Sequence, residues 1–215
     1  MPQLRAHNIT VSLDGFAAGV NQRPDAPFGD GWPDDMHDWM FATRTMRAGQ
    51  GLEGGIGGLD DAAVIESERN IGATIMGRNM FGPVRGPWDE SWRGWWGENP
   101  PYHHEVFVLT HHKRPALEMD GGTTFLFIDA APETVLQQAF EAAKGQDVRL
   151  GGGAASIREF MAAGLLDVLH LAIVPALVGA GERIFDNEPG SMDGYECAEL
   201  VSSDAVTHAR IVRTR

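Results

Sequence analysis

Residues 147–157 read DVRLGGGAASI: a short apolar run, three consecutive glycines, and a segment of good helix formers. No other stretch restricts the architecture so much. The triplet Gly151-Gly152-Gly153 carries no Cβ, so the turn can take positive φ and a ligand can come close to its peptide N–H groups. The helix that follows points its positive end at the same place. A strand that ends where a helix starts belongs to an α/β sheet, in which ligands sit outside the carboxyl ends of the strands. The local geometry suits a phosphate or pyrophosphate.

The rest of the chain has the same rhythm. Asn8–Leu13 alternates polar and apolar residues and ends in Asp14-Gly15, a strand followed by a turn. A helix is expected over Asp60–Asn70, and a buried strand at Gly72–Met76 leaves through Gly77-Arg78-Asn79. VFVLT at 106–110 and TFLFI at 124–128 read as strands. Pro132–Lys144 reads as a helix, with proline in its first turn and Gly145 just past its end. Further elements are a helix at Ser156–Ala163, a strand at Leu166–Val174, a turn at Pro175–Glu182 and two weaker strands between Glu196 and Val212. Alternating strands and helices, then strands alone, imply a mainly parallel sheet with an antiparallel C-terminal edge. Residues 19–59 stand apart. They are rich in Gly, Pro and Asp, with one short aromatic helical piece at Asp34–Arg44. A stretch this long is usually a lid, a binding loop or a disordered insertion.

The chain has 215 residues, enough for one well-buried core, so we expect one domain over 1–215 with an insertion at about 19–59. The net charge of −13 is opposite to that of a general nucleic-acid or anionic-membrane binder. An anionic ligand must therefore be held by local cations and dipoles. Cys197 is the single cysteine, which excludes an intrachain disulfide and a cysteine metal cluster and fits a reducing cytoplasm. No run approaches the roughly 18 apolar residues of a membrane span, and Met1–Thr10 has no signal-peptide pattern.

Two further segments fall at strand ends. Gly77-Arg78 can offer a guanidinium to a phosphate. Thr110-His111-His112-Lys113-Arg114 is the most cationic stretch of the chain. Each is also an ordinary surface turn when read alone. The glycine triplet is neither the G-x-G-x-x-G dinucleotide fingerprint nor a P-loop, which excludes a kinase or ATPase reading at the motif level. His103-His104 and His111-His112 have no partners at metal-ligand spacing, so no metal is expected. Trp88, Trp92, Trp95 and Trp96 crowd a Gly/Pro loop at 82–101. They cannot all be buried, and either pack or line a substrate mouth or subunit interface.

In combination the segments are far more specific. ATIMGRNMF, FVLTHHKRP and VRLGGGAASIREFMAAGLLDVLHLAIVPALVGAGERIF, in this order, resemble the dihydrofolate-reductase-like superfamily. The closest branch includes the C-terminal reductase domain of the riboflavin-biosynthesis deaminase/reductase. The resemblance covers roughly residues 5–18 and 60–212. It implies a three-layer α/β sandwich, NADPH as cofactor, a pteridine- or aminopyrimidine-like small-molecule substrate and a homodimer.

It also implies residue roles. Gly77, Arg78 and Asn79 would hold adenosine-side phosphate, and Thr110 and His111 would approach the 2′-phosphate. Leu150, Gly151, Gly152, Gly153, Ala154 and Ala155 would lie along the pyrophosphate and nicotinamide. The loop 14–18, with Ala17 and Ala18, would close over the nicotinamide. For a proton donor the family points to a carboxylate early in the helix before the Met-Gly-Arg strand, here Asp61 with Asp60 adjacent. Asp35 or Asp38 in GWPDDMHDWMF is the alternative. Two functions stay open: a reductase, or a nucleotide- or flavin-binding protein of the same fold without turnover. A third, a generic sugar-phosphate binder, requires Arg78 and Thr110 to lie far from the glycine triplet.

Overall fold

A computed structural model describes residues 1–82, 86–185 and 190–214. Residues 83–85 of the tryptophan loop and 186–189 of the segment that carries the resemblance lie outside them. A nine-stranded sheet runs in the order β10-β11-β8-β1-β7-β3-β4-β6-β5. In chain order its strands are β1 (Leu4–Ser12), β3 (Ile71–Gly77), β4 (Glu105–Leu109), β5 (Leu117–Glu118), β6 (Thr124–Ile128), β7 (Asp147–Leu150), β8 (Val168–Val174), β10 (Tyr195–Ser202) and β11 (Thr207–Arg213). A separate two-stranded ribbon pairs β2 (Phe16–Ala18) with β9 (Glu182–Arg183).

The six strands from β8 to β6 are mutually parallel. β11 joins β8 antiparallel and β10 closes that edge, while β5 turns antiparallel at the other. The expected parallel sheet with an antiparallel C-terminal edge is present. The β5 edge and the β2–β9 ribbon were not anticipated, because two- and three-residue strands carry no readable periodicity.

Helices cover both faces. They are α1 (Asp38–Phe41), α2 (Arg44–Gly49), α3 (Leu59–Glu68), α4 (Arg78–Phe81), α5 (Pro132–Ala143) and α6 (Ala154–Ala162). The largest buried cluster joins β1, β3, β7 and β8 to α5 and α6 through Leu4, Ile75, Leu150, Ile157, Phe160 and Leu169. Each such side chain contributes about 1.5–3 kcal/mol when fully buried. α5 begins on Pro132 and ends with Lys144 and Gly145 both at positive φ, as its composition foretold.

Two expectations change. β1 starts at Leu4, four residues earlier than its alternation suggests. Asn8 takes φ 56° and the register against β8 shifts between Ala6 and Ile9, which breaks the period-two pattern. The 19–59 segment is folded onto the sheet. Val20 bridges Asp30 and Arg23 bridges Ala26, forming a small hairpin held by an Arg23–Asp30 ion pair of 2.6 Å. Met36 and Trp39 are buried, and Trp39 packs with Val64, Ala172 and Val206.

Candidate functional site

The sheet order brings the predicted segments to one edge. β7, β3, β4 and β6 are consecutive neighbours, so their carboxyl ends form a continuous rim. Along it lie Gly151–Gly153 after β7, Gly77–Asn79 at the end of β3, Thr110 and His111 after β4, and Asp129 after β6. Adjacent strands are about 4.8 Å apart. A sugar-phosphate site with Arg78 and Thr110 far from the triplet is thereby excluded.

The first two junctions are bonded to each other. Gly151 N donates to Ile75 O at 2.8 Å, and Gly77 N donates to Gly152 O at 2.8 Å. A Cβ on Gly77 would stand 2.6 Å from Ser156 Oγ and 3.4 Å from Gly153 N, so a larger residue there must displace the serine hydroxyl. Gly152 has φ 97°, in the region that favours glycine. The Gly152–Gly153 peptide is cis. A Cβ on Gly153 would meet no atom within 4 Å, so the turn keeps an open space directly before α6. Ala154 is buried and Ala155 exposed in the first turn of that nine-residue helix, whose backbone amides point into the space. By contrast α4, after Gly77, is a single turn of four residues with little dipole to offer.

The cations of the rim are partly committed. The Arg78 guanidinium carbon lies 4.0 Å from the Trp88 ring centroid, a cation–π contact that fixes the arginine at the end of β3. Trp88 Nε1 donates to His112 O, tying the tryptophan loop to the turn after β4. Arg114 donates to Trp92 O at 3.1 Å and to Glu90 O at 3.2 Å, so it serves the loop. The buried Thr110 hydroxyl accepts from His112 N at 3.1 Å and shapes the turn. His111 is almost wholly exposed, and its Nδ1 sits 2.9 Å from Asp129 Oδ1. Trp88, Trp92 and Trp96 are half-buried against Phe81, Phe125 and Phe127, a packing role.

Beside the rim a polar cleft of about 350 Å³ is lined by Gly19–Gln22, Asn79, Gly181 and Glu182. Asn79 Nδ2 reaches Gln22 Oε1 at 3.3 Å across it. A larger depression of about 460 Å³ on the outer side of α5, lined by Glu133, Leu136, Gln137, Phe140, Glu141 and Leu165, includes none of the glycine-junction residues. Ala17 and Ala18 lie on β2, above the cleft, and the loop before them is clamped. Asp14 accepts from Ser12 Oγ at 2.6 Å, from Val178 N at 3.1 Å and from Gly179 N at 2.7 Å. The Ser12 hydroxyl, then those amides, bring its carboxyl down to about 2.

The four acid candidates separate. Asp61 Oδ1 accepts from Thr45 N at 2.8 Å and caps α2, and that bond holds its carboxyl below the usual range, the wrong direction for a proton donor. Asp35 and Asp38 are exposed on the insertion. Asp60 is buried and bonded to His208 Nε2 at 2.8 Å. His208 Nδ1 meets His170 Nε2 at 3.0 Å, and His170 Nδ1 accepts from Asn8 N at 3.1 Å. A backbone amide only donates, so the tautomers follow along the chain: His170 donates to His208, and His208 donates to Asp60. Trp39 stands edge-on to His208 and its Nε1 donates to Thr10 Oγ1 at 3.1 Å, sealing the pair. The register sets His208 beside Ala172 and Ala172 beside Thr10, two residues before the end of β1. Asp60 and Asp61 are both buried, Asp35 and Asp38 are not, and of the four only Asp60 is bonded to a histidine.

Sequence reasoning missed Asp129, the Asp14 clamp and the His170–His208 pair. Asp129 was findable, as the first residue after the TFLFI strand. The histidines carried no signal, since 60, 170 and 208 meet only through the fold.

Among the described residues no cluster of histidine, cysteine and carboxylates could hold a metal, and no helix is long and apolar enough to cross a membrane. Comparison with solved structures returns the same architecture. A putative riboflavin biosynthesis protein from Shewanella sp. PV-4 aligns over 100% of both chains at 18% identity with a TM-score of 0.62. Dihydrofolate reductase from Enterococcus faecalis, complexed with NADP(H) and RAB-propyl, aligns over 99% of this chain and 97% of its own at 16% identity, TM-score 0.54. A diaminohydroxyphosphoribosylaminopyrimidine deaminase/5-amino-6-(5-phosphoribosylamino)uracil reductase from Thermotoga maritima aligns over 99% of this chain at 14% identity, TM-score 0.52. This chain spans 56% of that one. No curated protein matches. The profile of the RibD C-terminal domain matches residues 6–208, and the chain belongs to that family.

Proposed function

We propose that this chain is an NADPH-dependent reductase of a small heterocyclic substrate, pteridine- or aminopyrimidine-like, acting in the cytoplasm as a homodimer. The observation that carries the reading is the rim itself. An open glycine cradle at the start of α6, an arginine against a tryptophan ring and the turn after β4 lie on adjacent strand ends. That arrangement fits an extended dinucleotide. The cradle would hold the pyrophosphate, Arg78 and Asn79 the adenosine-side phosphate, and Thr110 and His111 the ribose end. The cofactor supplies a hydride when bound.

The chain's own residues position and enclose. Asp14 anchors the loop that carries Ala17 and Ala18, and Gln22 with Asn79 narrows the cleft. Asp60 is our candidate for proton handling, either directly or through an ordered water, with His208 orienting its carboxylate. A second reading, a nucleotide- or flavin-binding protein without turnover, is favoured by one observation: Asp61 and Asp60 are both engaged by protein donors.

A titration separates the two. For a reductase, NADPH quenches tryptophan fluorescence at micromolar concentration, and a pterin, dihydrofolate or aminouracil substrate then consumes reduced nicotinamide. NADPH binding without consumption by any of these supports the second reading. Absence of NADPH binding overturns the first. Light scattering after size exclusion tests the dimer.

A further inference from the structure

Asp129 lies where the proposed ribose end of the cofactor would sit, and its charge is unlike the rest of that turn. It is the first residue after β6, beside the carboxyl end of β4, and its Oδ1 is 2.9 Å from His111 Nδ1. A carboxylate does not donate, so His111 Nδ1–H is the donor. The His111 side chain is 93% exposed, so the pair stands at the solvent side of the rim. The Asp129 carboxylate can accept from a hydroxyl. It does not match a phosphate dianion. In dinucleotide folds a carboxylate near the ribose pairs with the 2′-hydroxyl of the unphosphorylated cofactor, whereas a cation accommodates the 2′-phosphate. Arg114, the nearest arginine of the turn, gives its guanidinium to Trp92 O and Glu90 O.

We propose that the charge of Asp129, held in place by its bond to His111, sets the cofactor specificity of this chain, narrowing its preference for 2′-phosphorylated over plain nicotinamide dinucleotide. The inference rests on the dinucleotide reading above. Arg78 and Lys113 keep the phosphorylated form acceptable, and Asp129 opposes them. Removing one charge that opposes a dianion across a high-dielectric setting changes affinity by about tenfold at most.

The test is direct titration of NADPH and NADH, by calorimetry or tryptophan quenching, on the wild-type chain and two variants. Asp129→Asn removes the charge and keeps an acceptor for His111. Asp129→Ala removes both. Asp129 is close to half-exposed, and a thermal melt of each variant verifies its fold. The expected result is a ratio of NADH to NADPH dissociation constants that is larger in Asp129→Asn than in wild type by more than about twofold and up to about tenfold. The gain should shrink in high salt, because the pair is exposed. A ratio unchanged within about twofold, with both cofactors binding, overturns the role of Asp129 and leaves the dinucleotide site standing. Failure of wild type and both variants to bind either cofactor overturns the underlying reading, and the inference with it.

Discussion

Acidification by two pH units tests the buried histidines, and its effect follows from their surroundings. Burial, then His170 and the guanidinium groups of Arg5, Arg149 and Arg210, pushes the His7 imidazole down to about 3. Burial, then His208 and Arg210, pushes His170 down to about 4. Their rings are 5.7 Å apart, so two protons there also repel each other. The unfolded value is about 6.5. These are bases with folded values below the unfolded one, so the unfolded state binds the extra protons. Stability is fully present above about pH 6.5 and is lost progressively as pH falls toward 4 and 3. At about pH 5.5 each group costs about 1.4 kcal/mol, together about 3 kcal/mol. For a chain of this size that lowers Tm by about 6–12 °C. His104, held at about 4 mainly by burial but more exposed, adds a smaller, screened amount. The lowered carboxyls of Asp14 and Asp61 lose their contribution only below the ordinary carboxylate range of about 4, outside this window. The falling net negative charge above the pI of 4.9 relieves self-repulsion and acts in the opposite sense. A drop in Tm thus isolates the histidines. Scanning fluorimetry between about pH 7.5 and 5.5 reads it, and His170→Asn should make the slope shallower, His7, His104 and His37 supplying the rest. A flat or rising Tm over that range, or an unchanged slope in the variant, refutes the reasoning.

Arg78→Ala should weaken NADPH about tenfold or more and NADH much less, since only the former has a 2′-phosphate; equal losses in a calorimetric comparison count against the assignment. Gly77→Ala forces a Cβ against Ser156 Oγ, so urea unfolding should register a loss of about 1–3 kcal/mol together with weaker cofactor binding. Asp14→Ala releases the loop that bears Ala17 and Ala18; NADPH affinity should fall several-fold at pH 7, with a measurable drop in Tm. His208→Leu strands the buried Asp60 carboxylate, and denaturant titration should show about 3–5 kcal/mol of destabilisation. Restoring most of that loss in the double variant with Asp60→Leu would confirm that the unpaired charge is the cause.

The glycine junctions were legible because their signal is local. IMGR and RLGGG each place a glycine straight after a strand, and the chain has little choice there. The first half of β1 was hidden because the irregularity at Asn8 puts it out of phase with the second half, and because it buries a charged residue, Arg5. Arg5 is tolerated inside through Glu66 at 2.9 Å and Asp147 at 3.2 Å, partners 61 and 142 residues away. The insertion defeated composition for the same reason. Trp39 is in a core because its indole N–H finds Thr10, a fact no window around residue 39 contains. Asp60 and Asp61 looked equivalent as acidic starts of α3. The fold gives one to His208 and the other to Thr45. At the carboxyl edge of the sheet the four strand ends were readable one by one, but their order across the sheet was not. The proximity of Asp129 to His111 therefore escaped.

The position of β1 governs how the molecule can be made. Its two sheet neighbours are β7 and β8, and neither begins before residue 147. A chain synthesised from its N-terminus exposes Leu4, Ala6 and Val11 without a partner until some two-thirds of it exists. β3, β4 and β6 are already adjacent by residue 128 and can assemble first with α5. The central strand must then be captured late, by an event that closes a loop of more than 140 residues. Such long-range closure is slow and leaves apolar surface open to other chains. Yield of native protein should therefore depend more on translation speed and holding chaperones than on the stability of the finished sheet.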